Sequence, residues 1–149
     1  VSPLNRWIPV FHCQASWCFP ALLMAVTAFW RLREQMSKRV AVVIAEDPTK
    51  THRPVEALRI ALGLCAGDHQ TTIVLLGRAP LLLTDDTDDI VDVDILEKYR
   101  PSLAQLGVPF VLESGAATDA LLEEFSVTKK SADEIRSLLE SCDRTLVFS

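Results

Sequence analysis

Cysteine is the residue type in this chain best suited to covalent chemistry, because a thiolate can attack the sulfur of a disulfide or persulfide. The 149-residue sequence contains Cys13, Cys18, Cys65 and Cys142. The five-residue separation of Cys13 and Cys18 is not a metal-ligand spacing. Cys65 falls on the apolar stripe of a predicted helix, where a free cysteine packs as a small hydrophobic residue. Cys142 follows a predicted helix whose negative end disfavours a thiolate, so both thiols are kept only as alternative candidates.

Two loops that follow predicted strands carry the other candidate site residues. His52 and Arg53 lie after the first strand, and Glu113, Ser114 and Gly115 lie after the third. If the loops meet, the histidine and the glutamate would form an acid/base or anion-binding pair. The alternative is an exposed loop histidine near an unrelated carboxylate. No Ser-His-Asp arrangement follows from spacing, because such partners are adjacent in space rather than in sequence.

A run of aspartates is the most conspicuous polar feature, comprising Asp85, Asp86, Asp88, Asp89, Asp92 and Asp94. Carboxylate oxygens suit Mg²⁺ and Ca²⁺, but the run lacks the glycine and distal glutamate of a calcium loop. No metal site is therefore predicted. A solvated, self-repelling loop is favoured, with a docking surface for a basic partner as the alternative.

Composition excludes several classes of function. The formal net charge is −5 and no cluster of Lys and Arg exceeds two consecutive residues, which disfavours binding to nucleic acid. With only five glycines, the chain has neither a dinucleotide-binding fingerprint nor a phosphate-binding loop. No cofactor is predicted.

Strand and helix patterns alternate after Met36. Apolar, β-branched runs such as Val40–Ala45 are typical of strands buried on both faces of a parallel sheet. Three- and four-residue apolar spacing predicts helices, and Ser131 and Glu134 have capping-box spacing at the start of the last one. The predicted strands are Val40–Ala45, Thr71–Leu76, Val108–Leu112, Phe125–Val127 and Thr145–Phe148; the predicted helices are Val55–Ala66, Ile95–Leu106, Thr118–Phe125 and Ser131–Ser141, with a short helix or turn at Ala79–Leu83.

This order predicts a single α/β domain with a layered, flavodoxin-like, mostly parallel sheet and helices on both faces. Ligands of such sheets bind outside the carboxyl ends of the strands. The segments expected there are Glu46–Pro54, Gly77–Asp94 and Glu113–Thr118.

The first 35 residues differ from the rest. Trp7–Trp30 spans 24 residues without a formal charge, which is long enough to cross a bilayer. Its prolines and polar residues argue against a membrane anchor, and the residues near its end do not suit signal cleavage. We therefore divide the chain into a hydrophobic extension, residues 1–35, which is a tether or an upstream misassigned start, and a domain, residues 36–149. A cytoplasmic location is expected, with anchoring to the inner membrane through residues 7–30 as the alternative.

Four phrases of the domain resemble the DsrE/TusD-type (DsrE/DsrF-like) sulfur-relay family over residues 39–148. They are VEALRIALGLCAGDH, TTIVLLGRAP, LGVPFVLESGAA and SADEIRSLLESCDRTLVFS. The resemblance implies a DsrE-like layered α/β fold and an oligomer, formed with itself or with related family subunits.

The resemblance also implies a relay cysteine at the end of the third strand, and Glu113 stands at that position. A carboxylate cannot carry sulfane sulfur, so we expect a non-catalytic or accessory member of a sulfur-relay assembly rather than an enzyme. The alternatives are a small-ligand-binding protein or enzyme that uses Glu113 and Ser114, and a membrane-tethered adaptor.

Overall fold

The computed structural model describes residues 37–116 and 120–149, and the strands and helices described all belong to the unit Met36–Ser149. Strands and helices alternate along it. The strands are β1 (Arg39–Ile44), β2 (Gln70–Leu75), β3 (Pro109–Glu113), β4 (Ser126–Lys130) and β5 (Arg144–Phe148); the helices are α1 (Arg53–Ala66), α2 (Val93–Gln105) and α3 (Ala132–Ser141), with a 3₁₀ helix at Ala79–Leu83.

The five strands form one parallel sheet in the order β4-β3-β2-β1-β5. Val42 of β1 lies opposite Ile73 of β2 on one side and opposite Leu146 of β5 on the other. The three central strands are the most apolar, as expected for strands covered on both faces. The predicted parallel α/β sheet is confirmed.

Helices cover both faces of this sheet, as predicted. Val42 and Phe110 point to the face that packs against α1, α2 and the 3₁₀ helix, in the larger of two apolar clusters. Val43, Val74 and Val111 point to the other face, where Ile135 of α3 covers them. Residues next to each other in a strand therefore belong to different layers of the core.

The segment between β3 and β4 differs from the prediction. A helix was expected over Thr118–Phe125, but residues 120–125 form turns and an isolated antiparallel bridge between Leu121 and Thr84, while residues 118 and 119 lie outside the described residues. Leu122 N–H also donates to Leu83 O at 3.0 Å. The apolar spacing here reflects contacts with the 3₁₀ helix and, through Phe125, with Phe110, whose ring centroid lies 5.5 Å away.

The boundary of β4 also differs, since the strand runs over Ser126–Lys130 rather than Phe125–Val127. All five of its residues have partners in β3. Pairing with β3 extends the strand through the polar sequence Thr128–Lys130. The apolar pattern of the sequence does not predict a strand there.

Candidate functional site

Glu113 ends β3 at the carboxyl edge of the sheet, and it is exposed together with Ser114 and Gly115. Its Cα position pairs with Lys130 of β4. Ser114 N–H donates to Lys130 O at 2.9 Å, and Ala116 N–H donates to Glu113 O at 2.9 Å. The backbone thus fastens this loop to the neighbouring strand while the carboxylate faces solvent.

A second group of side chains gathers around Glu46, which follows β1. Thr51 Oγ1 donates to Glu46 Oε2 at 2.7 Å, and Arg53 Nη1 donates to Glu46 Oε1 at 3.1 Å. The same Arg53 atom lies 3.4 Å from Ser149 O, its acceptor beyond the end of β5. Arg53, a candidate from the sequence, therefore links the loop after β1 to the edge of the sheet at β5.

Asp47 connects the loops that follow β1 and β2. It accepts hydrogen bonds from Thr49 Oγ1 at 2.8 Å and Thr49 N–H at 3.1 Å. Arg78, just before the 3₁₀ helix, donates to its Oδ2 at 3.0 Å, and Lys50 Nζ lies 3.8 Å away. The Thr49 hydrogen bonds, followed by the charges of Arg78 and Lys50, hold the pKa of Asp47 below its ordinary value.

Glu46, Asp47 and Arg78 were not singled out as individual site candidates from the sequence, although each lies in a predicted carboxyl-edge segment. The feature of the sequence that could have identified these residues is their position, since they closely follow two strands that are neighbours in the sheet. Residue type and spacing alone did not show that Asp47 and Arg78 would form an ion pair.

His52 occupies the N-cap position of α1 with its side chain exposed and makes no capping hydrogen bond. Within the described part of the chain, no hydrogen bond or ion pair joins it to Glu113. The strand β2 separates β1 from β3, so the ends of the two strands lie roughly 10 Å apart. The acid/base pair stays a prediction that these contacts do not support.

The two thiols of the described residues lie at the opposite, amino edge of the sheet. Cys65, near the end of α1, lines a groove of about 420 Å³ together with Gln70 and Pro109, the first residues of β2 and β3. Cys142 is the C-cap of α3, two residues before β5 begins. Both cysteines are partly buried and free. Because the strands are parallel and span roughly 17–20 Å, neither thiol is close to the Glu113 loop.

The six aspartates of the acidic run are all exposed. Among residues 37–116 and 120–149, no group of three or more His, Cys, Asp or Glu side chains is arranged to hold a metal ion. Thr87 and Ile90 are buried within the run, and Val91 N–H donates to Pro48 O at 3.0 Å. The segment is therefore anchored by apolar and backbone contacts while its charges face water.

The predicted tether Trp7–Trp30 lies outside the described residues. Of the helices that are described, none has both the length and the apolar character needed to cross a membrane.

Comparison with known proteins identifies the family. A model described as the DsrE/DsrF-like family matches residues 38–148. The chain belongs to this family. The crystal structure of the ychN protein from E. coli is similar in fold, with a TM-score of 0.60 and 20% sequence identity over 76% of this chain and 100% of that one. No curated protein matches the sequence.

Membership confirms the resemblance drawn from the sequence and ties the chain to a family of the sulfur-relay type. The position of Glu113 then matters for function. From the sequence, a relay cysteine is expected at this position, and the structure shows Glu113 exposed at the end of β3.

Proposed function

We propose that this DsrE/DsrF-like protein is an accessory, non-catalytic member of a sulfur-relay assembly. The observation that carries the proposal is the exposed Glu113 at the end of β3, with both described thiols at the far edge of the sheet. The protein would keep the family's loop as a contact surface while its partners carry the sulfur.

The chemistry of sulfur transfer is the first support for this role. In a relay step, an acceptor thiolate attacks the terminal sulfur of a donor persulfide, a new S–S bond forms, and the donor leaves as a thiolate. A carboxylate oxygen at position 113 does not form the stable S–S bond that holds the cargo. Ser114 and Gly115 offer no thiol either.

The rigid attachment of the loop is the second support. Ser114 and Ala116 donate backbone hydrogen bonds to Lys130 and Glu113, so residues 113–116, the described part of the loop, are held against β4 and carry no thiol. An exposed segment held in this way, residues 113–115, suits recognition of a second copy or of a related family subunit. We place this role in the cytoplasm, where free thiols such as Cys65 and Cys142 stay reduced.

The test restores a thiol to the loop of the full-length chain by Glu113→Cys. After treatment with a small-molecule persulfide donor, peptide mass mapping should show a gain of about 32 Da, one sulfur atom, on the peptide containing position 113. The matched control is Glu140→Cys, which places a thiol at an exposed position on α3. We expect faster loading at position 113 than at position 140 or at any native cysteine.

The wild-type chain provides the opposing outcome. If Cys65 or Cys142 of the unmodified protein gains sulfur as fast as the Glu113→Cys variant, the protein carries sulfur itself. The accessory role would then be wrong.

A further inference from the structure

The two edge strands of the sheet are protected to different extents. β4 ends in Lys129 and Lys130, charged side chains of the kind that discourage strand addition at an edge. β5 has the sequence RTLVF, and its Leu146 and Val147 are 37% and 62% exposed. The charged residue of β5, Arg144, stands at its start, and no charged side chain follows over Thr145–Phe148. An edge segment without charged side chains is a template for pairing with another strand.

The backbone of β5 has hydrogen-bonding groups that face away from the sheet. Ala45 N–H donates to Phe148 O at 2.9 Å, so the backbone groups of Phe148 point towards β1. Since successive residues of a strand point these groups alternately to the two sides, those of Leu146 also face β1, and those of Thr145 and Val147 face outwards. No other residue in the described part of the chain bonds to these outward groups.

The two exposed apolar side chains lie on opposite faces of the sheet. Leu146 is in register with Val42, which belongs to the cluster under α1. Val147 is in register with Val43, which belongs to the cluster under α3. A helix docked on one face would cover only one of them, whereas a strand added at the edge would cover both.

We propose that β5 pairs in antiparallel fashion with β5 of a second copy of this chain, about a two-fold axis at Leu146. This inference names the partner of the assembly proposed above and rests on that proposal. Thr145 would lie opposite Val147 of the second copy, so that the outward N–H and C=O groups of these residues bond each other. The two Leu146 side chains would pack against each other on one face of the joined sheet, the face opposite to Thr145 and Val147.

Charge complementarity supports a second copy as the occupant. The same register sets Asp143 opposite Ser149 of the second copy, one residue beyond each end of the ladder. Asp143 Oδ2 accepts from Arg39 N–H. Arg53 Nη1 donates to Glu46 Oε1 and Ser149 O of its own chain. The pairing would therefore set the other oxygen of this carboxylate, Asp143 Oδ1, beside the Arg53 guanidinium of the second copy, twice by symmetry. The side chain of this arginine is 58% exposed and open to such a contact.

A standard interface buries about 800 Å² on each partner, and we expect pairing through one five-residue strand to bury less than this. We therefore expect a reversible dimer whose population rises with protein concentration. Sedimentation velocity of the full-length chain over a range of concentrations should show it.

The register is tested by Leu146→Cys in the full-length chain. Residues opposite each other in a non-hydrogen-bonded antiparallel pair have Cα atoms about 4.5 Å apart, within the range that a disulfide spans. Mild oxidation should give a covalent dimer, and peptide mapping should place the bond between the two positions 146. The control Thr128→Cys, on the other edge strand, should not link with itself. No link at position 146, or equal linking in both variants, would overturn the pairing.

The association is tested by Val147→Lys, which adds an edge lysine at an exposed site, with Thr128→Lys on β4 as the matched control. The first variant should sediment as a monomer at concentrations where wild type and control are dimers, with unchanged circular dichroism. A monomeric wild type, or a dimer that survives Val147→Lys, contradicts the proposal. Sedimentation and disulfide mapping do not depend on sulfur loading. A negative result here would therefore overturn the β5 pairing and leave the accessory role untouched, whereas sulfur loading of the wild-type cysteines would overturn the accessory role.

Discussion

At the residue scale, Asp47 shows how neighbours set the behaviour of one carboxylate. Its pKa lies below the ordinary value because Thr49 donates two hydrogen bonds and Arg78 and Lys50 supply positive charge. A carboxylate whose pKa is lowered on folding stabilises the native state above its unfolded pKa, and that stabilisation is lost as the pH falls through its folded pKa.

We therefore expect Asp47→Asn to lower the free energy of unfolding at pH 7 more than at pH 3. Urea denaturation at the two pH values measures the difference between wild type and variant. Asp88→Asn is the control, since this exposed aspartate has no hydrogen bond or ion pair within the described residues. If the Asp47→Asn difference is the same at both pH values, these contacts do not stabilise the folded protein.

At the scale of the element, α3 depends on its first turn. Ser131 Oγ accepts from Glu134 N–H at 3.3 Å, and Glu134 Oε2 accepts from Ser131 N–H at 2.7 Å, which completes the predicted capping box. The backbone hydrogen bond from Ser131, followed by the bond with its side chain, lowers the pKa of Glu134. The helix is short and buries only Ile135 fully, so its start contributes much of its stability.

Ser131→Ala should lower the free energy of unfolding by about 1 kcal/mol, because the N–H of Glu134 loses its acceptor, Ser131 Oγ. Urea denaturation provides the measurement. Ser137→Ala, at an exposed position in the middle of the same helix, should change stability by no more than about 0.5 kcal/mol. Equal losses in the two variants would show that the cap has no special role.

At the scale of the whole molecule, Phe110 joins the sheet to the segment between β3 and β4. It is fully buried and meets Phe125 in an edge-to-face contact with an interplanar angle of 77°. Phe110→Ala should reduce the free energy of unfolding by about 3–5 kcal/mol, since it removes apolar contacts and leaves a cavity.

Leu106→Ala is the control for this core substitution, because Leu106 is 54% exposed and should cost far less. Chemical denaturation of both variants, monitored by circular dichroism, measures their free energies of unfolding for this comparison. A loss at Phe110 no larger than the loss at Leu106 would mean that the core relaxes to fill the space.

The sequence by itself determined the alternation of strands and helices, the capping box at Ser131 and the family. Each of these features depends on residues that are close together in the chain: the period of the apolar residues, the capping residues and the family motifs. The same local logic failed at residues 120–125, where apolar residues spaced as in a helix instead contact the 3₁₀ helix and β3.

Only the tertiary structure decided which loops meet. The strand order placed the ends of β1 and β2 side by side, so that Arg78 pairs with Asp47, and set β2 between His52 and Glu113. It also placed Cys65 and Cys142 at the edge of the sheet opposite Glu113. Strand order and register arise from packing between segments far apart in the chain, and residue spacing within one segment does not encode them.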